Sequence, residues 1–177
     1  AQLGGRHVRS ESVSHLRGPG GRSDMLALTV ADDAQEVDAR TFQIHEAPNT
    51  SSDLLYKNSL DDASRTIFSG LIRVDPGAQM TDAYQKVRNL LLSDDAEANS
   101  APGLEIEADN VRCTHGATTG EINEDELFYM EARGIPKNSG RRLIVNGFFH
   151  TLLERLESED LRAYLGRMVS EKLGVPA

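Results

Sequence analysis

VRCTHGATTGEINEDELFYMEARGI, residues 111–135, joins two parts of the chain that differ in sequence pattern. Before it lie short segments rich in Val, Ile, Leu, Thr and Ser, separated by glycine, proline or paired acids, which is typical of strands. After it, apolar residues recur with the period of a helix. We therefore predict a mainly β region followed by a helical region, with domains at 1–120 and 121–177.

Cys113 and His115 are the candidate ligands of this stretch. On a strand, residues two apart point to the same face, about 6.5 Å apart along the backbone. A thiolate and an imidazole both bind metals, but two ligands do not complete a tetrahedral site. A lone cysteine is more often a small buried side chain, and a lone histidine a hydrogen-bonded strand residue. The spacing alone leaves both interpretations open.

Helix signals follow the glycine turn that we predict after the strand. Asn123, with Glu126 three residues later, is typical of a capped helix start, and Gly134 is typical of a helix end. A change to a helical period continues to the end of the chain. The predicted helices are 124–133, 140–156 and 159–173, with Asn123, Ser139 and Ser158 as their N-caps.

Seven further strands are predicted ahead of this stretch, separated by turn residues. The acidic, small-residue segment 94–103 is predicted to be a loop. Recurrence at roughly ten to fifteen residues suits a sandwich, a barrel or a β-helix, and pattern alone does not choose among them. The predicted strands are 7–16, 25–30, 41–45, 53–60, 65–74, 82–92 and 104–107.

Composition excludes several classes of function. A net charge of −9 argues against a nucleic-acid surface, which needs clustered Lys and Arg. The sequence has no P-loop, no Gly-x-Ser-x-Gly elbow and no His-Glu-x-x-His motif. No apolar run reaches the length of a membrane span, and a single cysteine suits a reducing compartment. We therefore expect a cytoplasmic protein that binds neither nucleic acid nor membrane.

Three runs of sequence resemble one known family. CTHGATTGEINEDELFYMEARGI, residues 113–135, is similar to the C-terminal signature of the SufB/SufD family, which belongs to the SUF iron–sulfur cluster assembly machinery. APNTSSDLLYKNSLDDASRTIFSGLIRV (47–74) and QMTDAYQKVRNLLLSDDAEANSAPGLEIEADNVRC (79–113) resemble the same family. The Cys-x-His-Gly motif of Cys113, His115 and Gly116 resembles SufD, whereas SufB sequences usually carry a Glu-His-Glu version.

The resemblance implies a right-handed parallel β-helix followed by a small C-terminal α-helical subdomain. Family members are much longer, so we expect a C-terminal fragment that holds the last coils and lacks earlier strands. In the family, SufB and SufD pair through their β-helical parts, the nascent cluster forms near their junction, and the ATPase SufC binds the helical regions. His115 takes the place of the SufD motif histidine and is the expected metal ligand, and Cys113 is the weaker candidate.

The cysteine count limits how the chain could handle a cluster. A [4Fe–4S] cluster normally takes four thiolates, and the chain has one cysteine. We therefore expect no stably bound cofactor, but a transient iron–sulfur cluster at the interface with a SufB-like partner. The favoured hypothesis is a non-catalytic SufD-like scaffold that also docks a SufC-like ABC-type ATPase.

Two alternatives remain open. One is a β-helix protein–protein binding module without metal chemistry. The other is a metal-dependent enzyme of the β-helix or cupin kind, although the sequence lacks further ligands in a recognisable spacing.

Two expectations concern assembly. An open strand edge pairs with an identical edge when nothing covers it, so the isolated chain is expected to form a homodimer through 83–92 and 111–115. The helical tail is expected to offer aromatic anchors to the ATPase, namely Phe148, Phe149 or Tyr129.

Overall fold

The computed structural model describes residues 1–174. Over this range it contains eight strands followed by three helices. The strands are β1 (His7–Leu16), β2 (Arg22–Ala31), β3 (Glu36–His45), β4 (Ser51–Leu60), β5 (Arg65–Val74), β6 (Asp82–Leu91), β7 (Glu97–Ile106) and β8 (Arg112–Glu121). The helices are α1 (Glu124–Glu131), α2 (Lys137–Leu153) and α3 (Glu159–Lys172).

Odd-numbered and even-numbered strands form two separate sheets. Their orders are β1-β3-β5-β7 and β2-β4-β6-β8, and every pairing is parallel. Each strand pairs with the strand two further along the chain, so that His7 lies opposite Glu36 and Asp82 opposite Arg112. The chain therefore winds into a β-solenoid of about four turns. This result confirms the predicted parallel β-helix with a helical C-terminal region.

β5 illustrates what stabilises the solenoid. Its buried residues alternate with half-buried ones, so Phe68, Ile72 and Val74 enter the interior. Phe68 packs there with Leu54 and Tyr56, and the Tyr56 and Phe68 rings meet edge to face with their centres 5.6 Å apart. Each such buried side chain contributes about 1.5–3 kcal/mol to stability. Layers of apolar side chains thus join successive turns.

Residues in the left-handed backbone region mark the corners. Asp33 and Asp62, each with φ of 51°, occupy equivalent corners of successive turns. Asn49 (57°) and Met80 (63°) form the corresponding pair between the other strands. Asp and Asn tolerate this conformation better than most residues. The backbone N–H of Asp33 also donates to the Asp62 carboxylate (3.0 Å), which ties two corners together.

α1 packs against α2, and α2 and α3 cover the outer face of the sheet at β2 and β4. Their apolar residues and those of the sheet form a single buried cluster, and β4 is consequently buried along most of its length. The cluster comprises Leu28, Val30, Leu55, Leu90, Val145, Phe149, Leu152 and Val169.

The helix starts agree with the sequence in two cases of three. Asn123 and Ser158 cap α1 and α3 through side-chain hydrogen bonds, as predicted. The predicted cap at Ser139 is wrong, because α2 begins at Lys137, directly after Pro136, and has no side-chain cap. Proline fixes a φ that suits the start of a helix, so the chain enters α2 earlier than a serine cap would allow.

Two predictions at the last turn are wrong. The predicted loop 94–103 is mostly strand, because β7 begins at Glu97 and pairs with β5 over its whole length. The predicted glycine turn after His115 is also strand, since β8 continues to Glu121 alongside β6. Pairing with the previous turn satisfies the backbone and overrides the weak strand preference of Gly and Pro. Pro102 is tolerated because β7 is an edge strand.

The strands give way to helices between Glu121 and Glu124. α2 and α3 share an apolar cluster with the sheet. The division into domains at 1–120 and 121–177 stays a prediction. Residues 175–177 lie outside the described range. Within residues 1–174, no helix combines the length and the apolar character needed to cross a membrane.

Candidate functional site

β8 places Cys113 and His115 at the open end of the solenoid. Within residues 1–174, β8 pairs with β6 on one side and has no strand on the other. Cys113 lies opposite Ala83, and His115 lies opposite Gln85. Strand alternation puts both side chains on the face that turns toward the interior. The last turn therefore presents interior-facing groups that no further described turn covers.

Cys113 is half-buried against apolar side chains. Burial raises the pKa of its thiol above the ordinary value of 9.0. The thiol is consequently protonated at neutral pH, and a protonated thiol is a poor metal ligand. This environment favours a structural role for the cysteine. The cluster around it comprises Ile72, Val74, Ala78, Ala83 and Ala108.

His115 is exposed and lines an open cleft of about 460 Å³. Tyr84, Lys86 and Arg155 line the same cleft. Arg155, just beyond the end of α2, is held there by an ion pair with Asp53 (2.9 Å). Strand alternation places Tyr84 and Lys86 on the outer face of the sheet, so the cleft lies on that face. The exposed imidazole of His115 instead points to the open end of the interior.

The ligand set around His115 is incomplete within this chain. Across residues 1–174, no group of three or more His, Cys, Asp or Glu side chains has the geometry to hold a metal ion. Iron–sulfur clusters are normally held by four protein ligands. Iron bound at His115 would therefore need ligands from another molecule.

The exposed aromatic surface of the helical region lies mainly on α1. Phe128 is 72% exposed and Tyr129 57%. Of the predicted anchors, Tyr129 is exposed and Phe148 is half-buried. The prediction of Phe149 as an anchor is wrong, because its side chain is fully buried in the cluster that joins α2 to the sheet. Helical spacing could not tell which side of α2 faces the sheet, and it did not single out Phe128.

Lys57 is a buried cation between β4 and α2. It is 3% exposed, and its ammonium group donates to the carbonyl oxygen of Phe148 and to Thr151 Oγ1. The same group lies 4.7 Å from the centre of the Phe148 ring. Burial, helped by nearby Arg88, lowers the pKa of Lys57 from 10.5 to about 8. The buried ammonium group of Lys57, hydrogen-bonded to uncharged partners, therefore helps to attach α2 to β4.

His45 has a structural role inside the second turn. Its Nδ1 lies 2.8 Å from Thr50 Oγ1 and its Nε2 lies 2.9 Å from Ser52 Oγ. Burial lowers the pKa of His45 to about 4, so the ring is neutral at physiological pH. Both ring nitrogens are occupied within the fold, which leaves none for a ligand.

The predicted dimer segments differ in accessibility. The segment 83–92 lies largely in β6, which has β4 on one side and β8 on the other, so its assignment as an open edge is wrong. The segment 111–115 overlaps β8, whose outer edge is unpaired within residues 1–174. Any pairing between strands of two chains at this end is therefore expected at β8 or β7.

Comparison with known proteins identifies the family. Residues 1–148 match the family described as "SUF system FeS cluster assembly, SufBD core domain". An iron–sulfur cluster assembly SufBD family protein of Mycobacterium leprae is 35% identical over 181 residues, which covers 98% of this chain and 46% of the relative. The chain therefore belongs to the SufBD core family, as its motifs predicted.

Two relatives carry the name SufD. Iron–sulfur cluster assembly protein SufD of Escherichia coli is 34% identical over 173 residues, or 97% of this chain and 40% of the relative. SufD of Bacillus subtilis is 29% identical over 164 residues, or 93% and 38%. The chain thus spans less than half the length of these three relatives.

Proposed function

We propose that the chain acts as a SufD-like, non-catalytic scaffold subunit in SUF iron–sulfur cluster assembly. The observation that carries the proposal is the position of His115. It is exposed on an edge strand at the open end of the solenoid, in a chain whose relatives are named iron–sulfur cluster assembly proteins. Membership of the SufBD family supports a role in iron–sulfur cluster assembly, and the exposed position of His115 supports this residue as the ligand.

In this proposal the cluster is cargo that two subunits hold transiently. A neutral imidazole is a competent ligand for iron. His115 would supply one ligand, and a SufB-like partner would supply the thiolates that this chain lacks. Cys113 has a minor part, because its half-buried thiol stays protonated. The exposure of His115 and the incomplete ligand set both support a shared site.

The open edge of β8 is the proposed contact with the SufB-like subunit. Its outer side offers backbone donors and acceptors to another strand. Without that partner, two copies of the chain can use the same edge, which gives the expected homodimer. The cytoplasm is the proposed location.

The helical region is the proposed docking site for a SufC-like ABC-type ATPase. Phe128 and Tyr129 protrude from α1, and exposed aromatic side chains are the usual anchors of protein interfaces. Replacing both by alanine should weaken ATPase binding at least tenfold without changing the circular dichroism of the chain. Tyr164→Ala on α3 is the matched control, because its side chain is 51% exposed but lies on another helix. Equal binding by wild type and double variant in a pull-down would exclude this docking site.

The cluster role is tested in the complete complex with its SufB-like and ATPase partners. After anaerobic reconstitution, His115→Ala should bind at least about tenfold less iron and sulfide, because a ligand is lost. Cys113→Ser should have a smaller effect. Thr114→Ala is the matched control, since Thr114 neighbours His115 but points to the opposite face of β8.

A binding module without metal chemistry is the second candidate. The half-buried, protonated thiol of Cys113 favours it. Normal cluster assembly by His115→Ala, together with intact binding to both partners, would select this candidate.

A further inference from the structure

Gln85 is a buried amide without a partner. Its side chain is 2% exposed and lies on β6 in the third turn. Neither Nε2 nor Oε1 has a hydrogen-bond partner within residues 1–174. Burial of an unpaired amide destabilises a fold, so native proteins seldom leave both of its atoms unused.

The solenoid makes room for this amide at Gly70. A Cβ atom at Gly70 would lie 2.5 Å from Gln85 Nε2 and 2.7 Å from Thr41 Oγ1. The backbone of Gly70 is not in the left-handed region, so its conformation does not require glycine. A glycine within a strand weakens it and often marks a close approach by another group. Here that group is the amide of Gln85, which occupies the space that a side chain would fill.

Thr41 Oγ1, which lies near Nε2 beside Gly70, also lacks a partner among the described residues. For Oε1, the neighbours of Gln85 in its own sheet leave one polar candidate. On β4 the residue opposite Gln85 is Leu54, which has no polar side-chain atom. On β8 it is His115, and adjacent strands lie about 4.8 Å apart. Gln85 and His115 point to the same interior side. At this spacing, a directly opposite side chain such as that of His115 is within reach of the amide.

We propose that Gln85 is a positioning residue for His115. Its Oε1 accepts a hydrogen bond from one ring N–H of His115, which fixes the tautomer and directs the other nitrogen, with its lone pair, away from the interior. Histidines that bind metals commonly have their second nitrogen held in this way. The inference rests on the proposed function of His115, but the hydrogen bond itself requires neither iron nor partners.

Nitrogen NMR of the full chain tests the hydrogen bond directly. At about pH 9, where imidazoles are neutral, the two ring ¹⁵N shifts report the tautomer. Gln85→Met keeps the length of the side chain but removes the acceptor, so the ring shifts of His115 should move toward those of a rapidly exchanging tautomer mixture. Gln85→Glu keeps an acceptor oxygen and should largely restore the wild-type shifts.

Ser59→Ala is the matched control. Ser59 is fully buried and its Oγ also lacks a partner among the described residues, but β6 separates it from β8. This variant should leave the His115 signals unchanged. Identical His115 shifts in wild type and Gln85→Met would overturn the proposal.

A measurement on the wild-type chain covers the case in which Gln85→Met does not fold. A nuclear Overhauser contact between the His115 ring N–H and the Gln85 amide protons supports the proposal, and its absence contradicts it. If Gln85→Met loses the hydrogen bond but cluster assembly still depends on His115 as in the wild type, the positioning role alone is refuted. A hydrogen bond that is present while His115→Ala assembles clusters normally would refute the ligand role alone.

Discussion

β5 and β8 are both ten-residue parallel strands, but they present opposite surfaces. β5 lies between β3 and β7 and buries every second residue, whereas β8 pairs only with β6 and is exposed along most of its length. Position in the stack, rather than strand conformation, therefore decides how much of a strand is buried. A strand at the open end keeps interior-facing side chains without a turn to cover them, which makes them available to a partner.

The largest expected difference between these strands is in stability. Phe68→Ala in β5 removes a ring packed among Leu54, Tyr56 and Val87, and should lower the free energy of unfolding by about 3–5 kcal/mol. Thr118→Ala in the exposed part of β8 should change it by less than about 0.5 kcal/mol. Denaturant unfolding followed by circular dichroism measures both. Similar losses in the two variants would show that the last turn is packed as tightly as the third.

A smaller effect is expected where α2 covers the neighbouring sheet. Lys57 and Arg88 lie opposite each other in β4 and β6, but Lys57 is buried under α2 and Arg88 is exposed. Because the pKa of Lys57 falls from 10.5 to about 8 on folding, the unfolded chain binds more protons between these values. The free energy of unfolding should therefore rise with pH over this window, by at most roughly 3 kcal/mol.

Variants at the two positions test this pH dependence. Lys57→Met should abolish the rise in the free energy of unfolding between about pH 8 and 10.5, whereas Arg88→Met should retain it. Urea unfolding at several pH values gives both curves. A rise of equal size in Lys57→Met would mean that another group titrates in this range.

The middle turns could be predicted closely from sequence. β4, β5 and β6 lie within two residues of the predicted limits, because apolar alternation in an interior strand reports its burial. β7 and the second half of β8 could not be predicted, since APG and GATTG are typical of turns. Their strand conformation depends on pairing with β5 and β6, residues distant in the sequence.

The candidate site was predictable only in part. The spacing of Cys113 and His115 placed both on one strand face, and both lie in β8. The sequence could not show that the cysteine is half-buried while the histidine is exposed, because the packing of the last turn decides this. The pairing of Gln85 with His115 was also hidden, since it depends on the register between β6 and β8.

Hydrogen exchange of backbone amides tests most directly whether the open end of the solenoid is the functional interface. The chain is measured alone at low concentration and again when bound to a SufB-like subunit. Exchange in β8 should slow at least tenfold on binding, because its free edge becomes paired, while exchange in β5 should stay unchanged. Unchanged exchange in β8, or protection confined to α1, α2 and α3, would contradict the proposed interface.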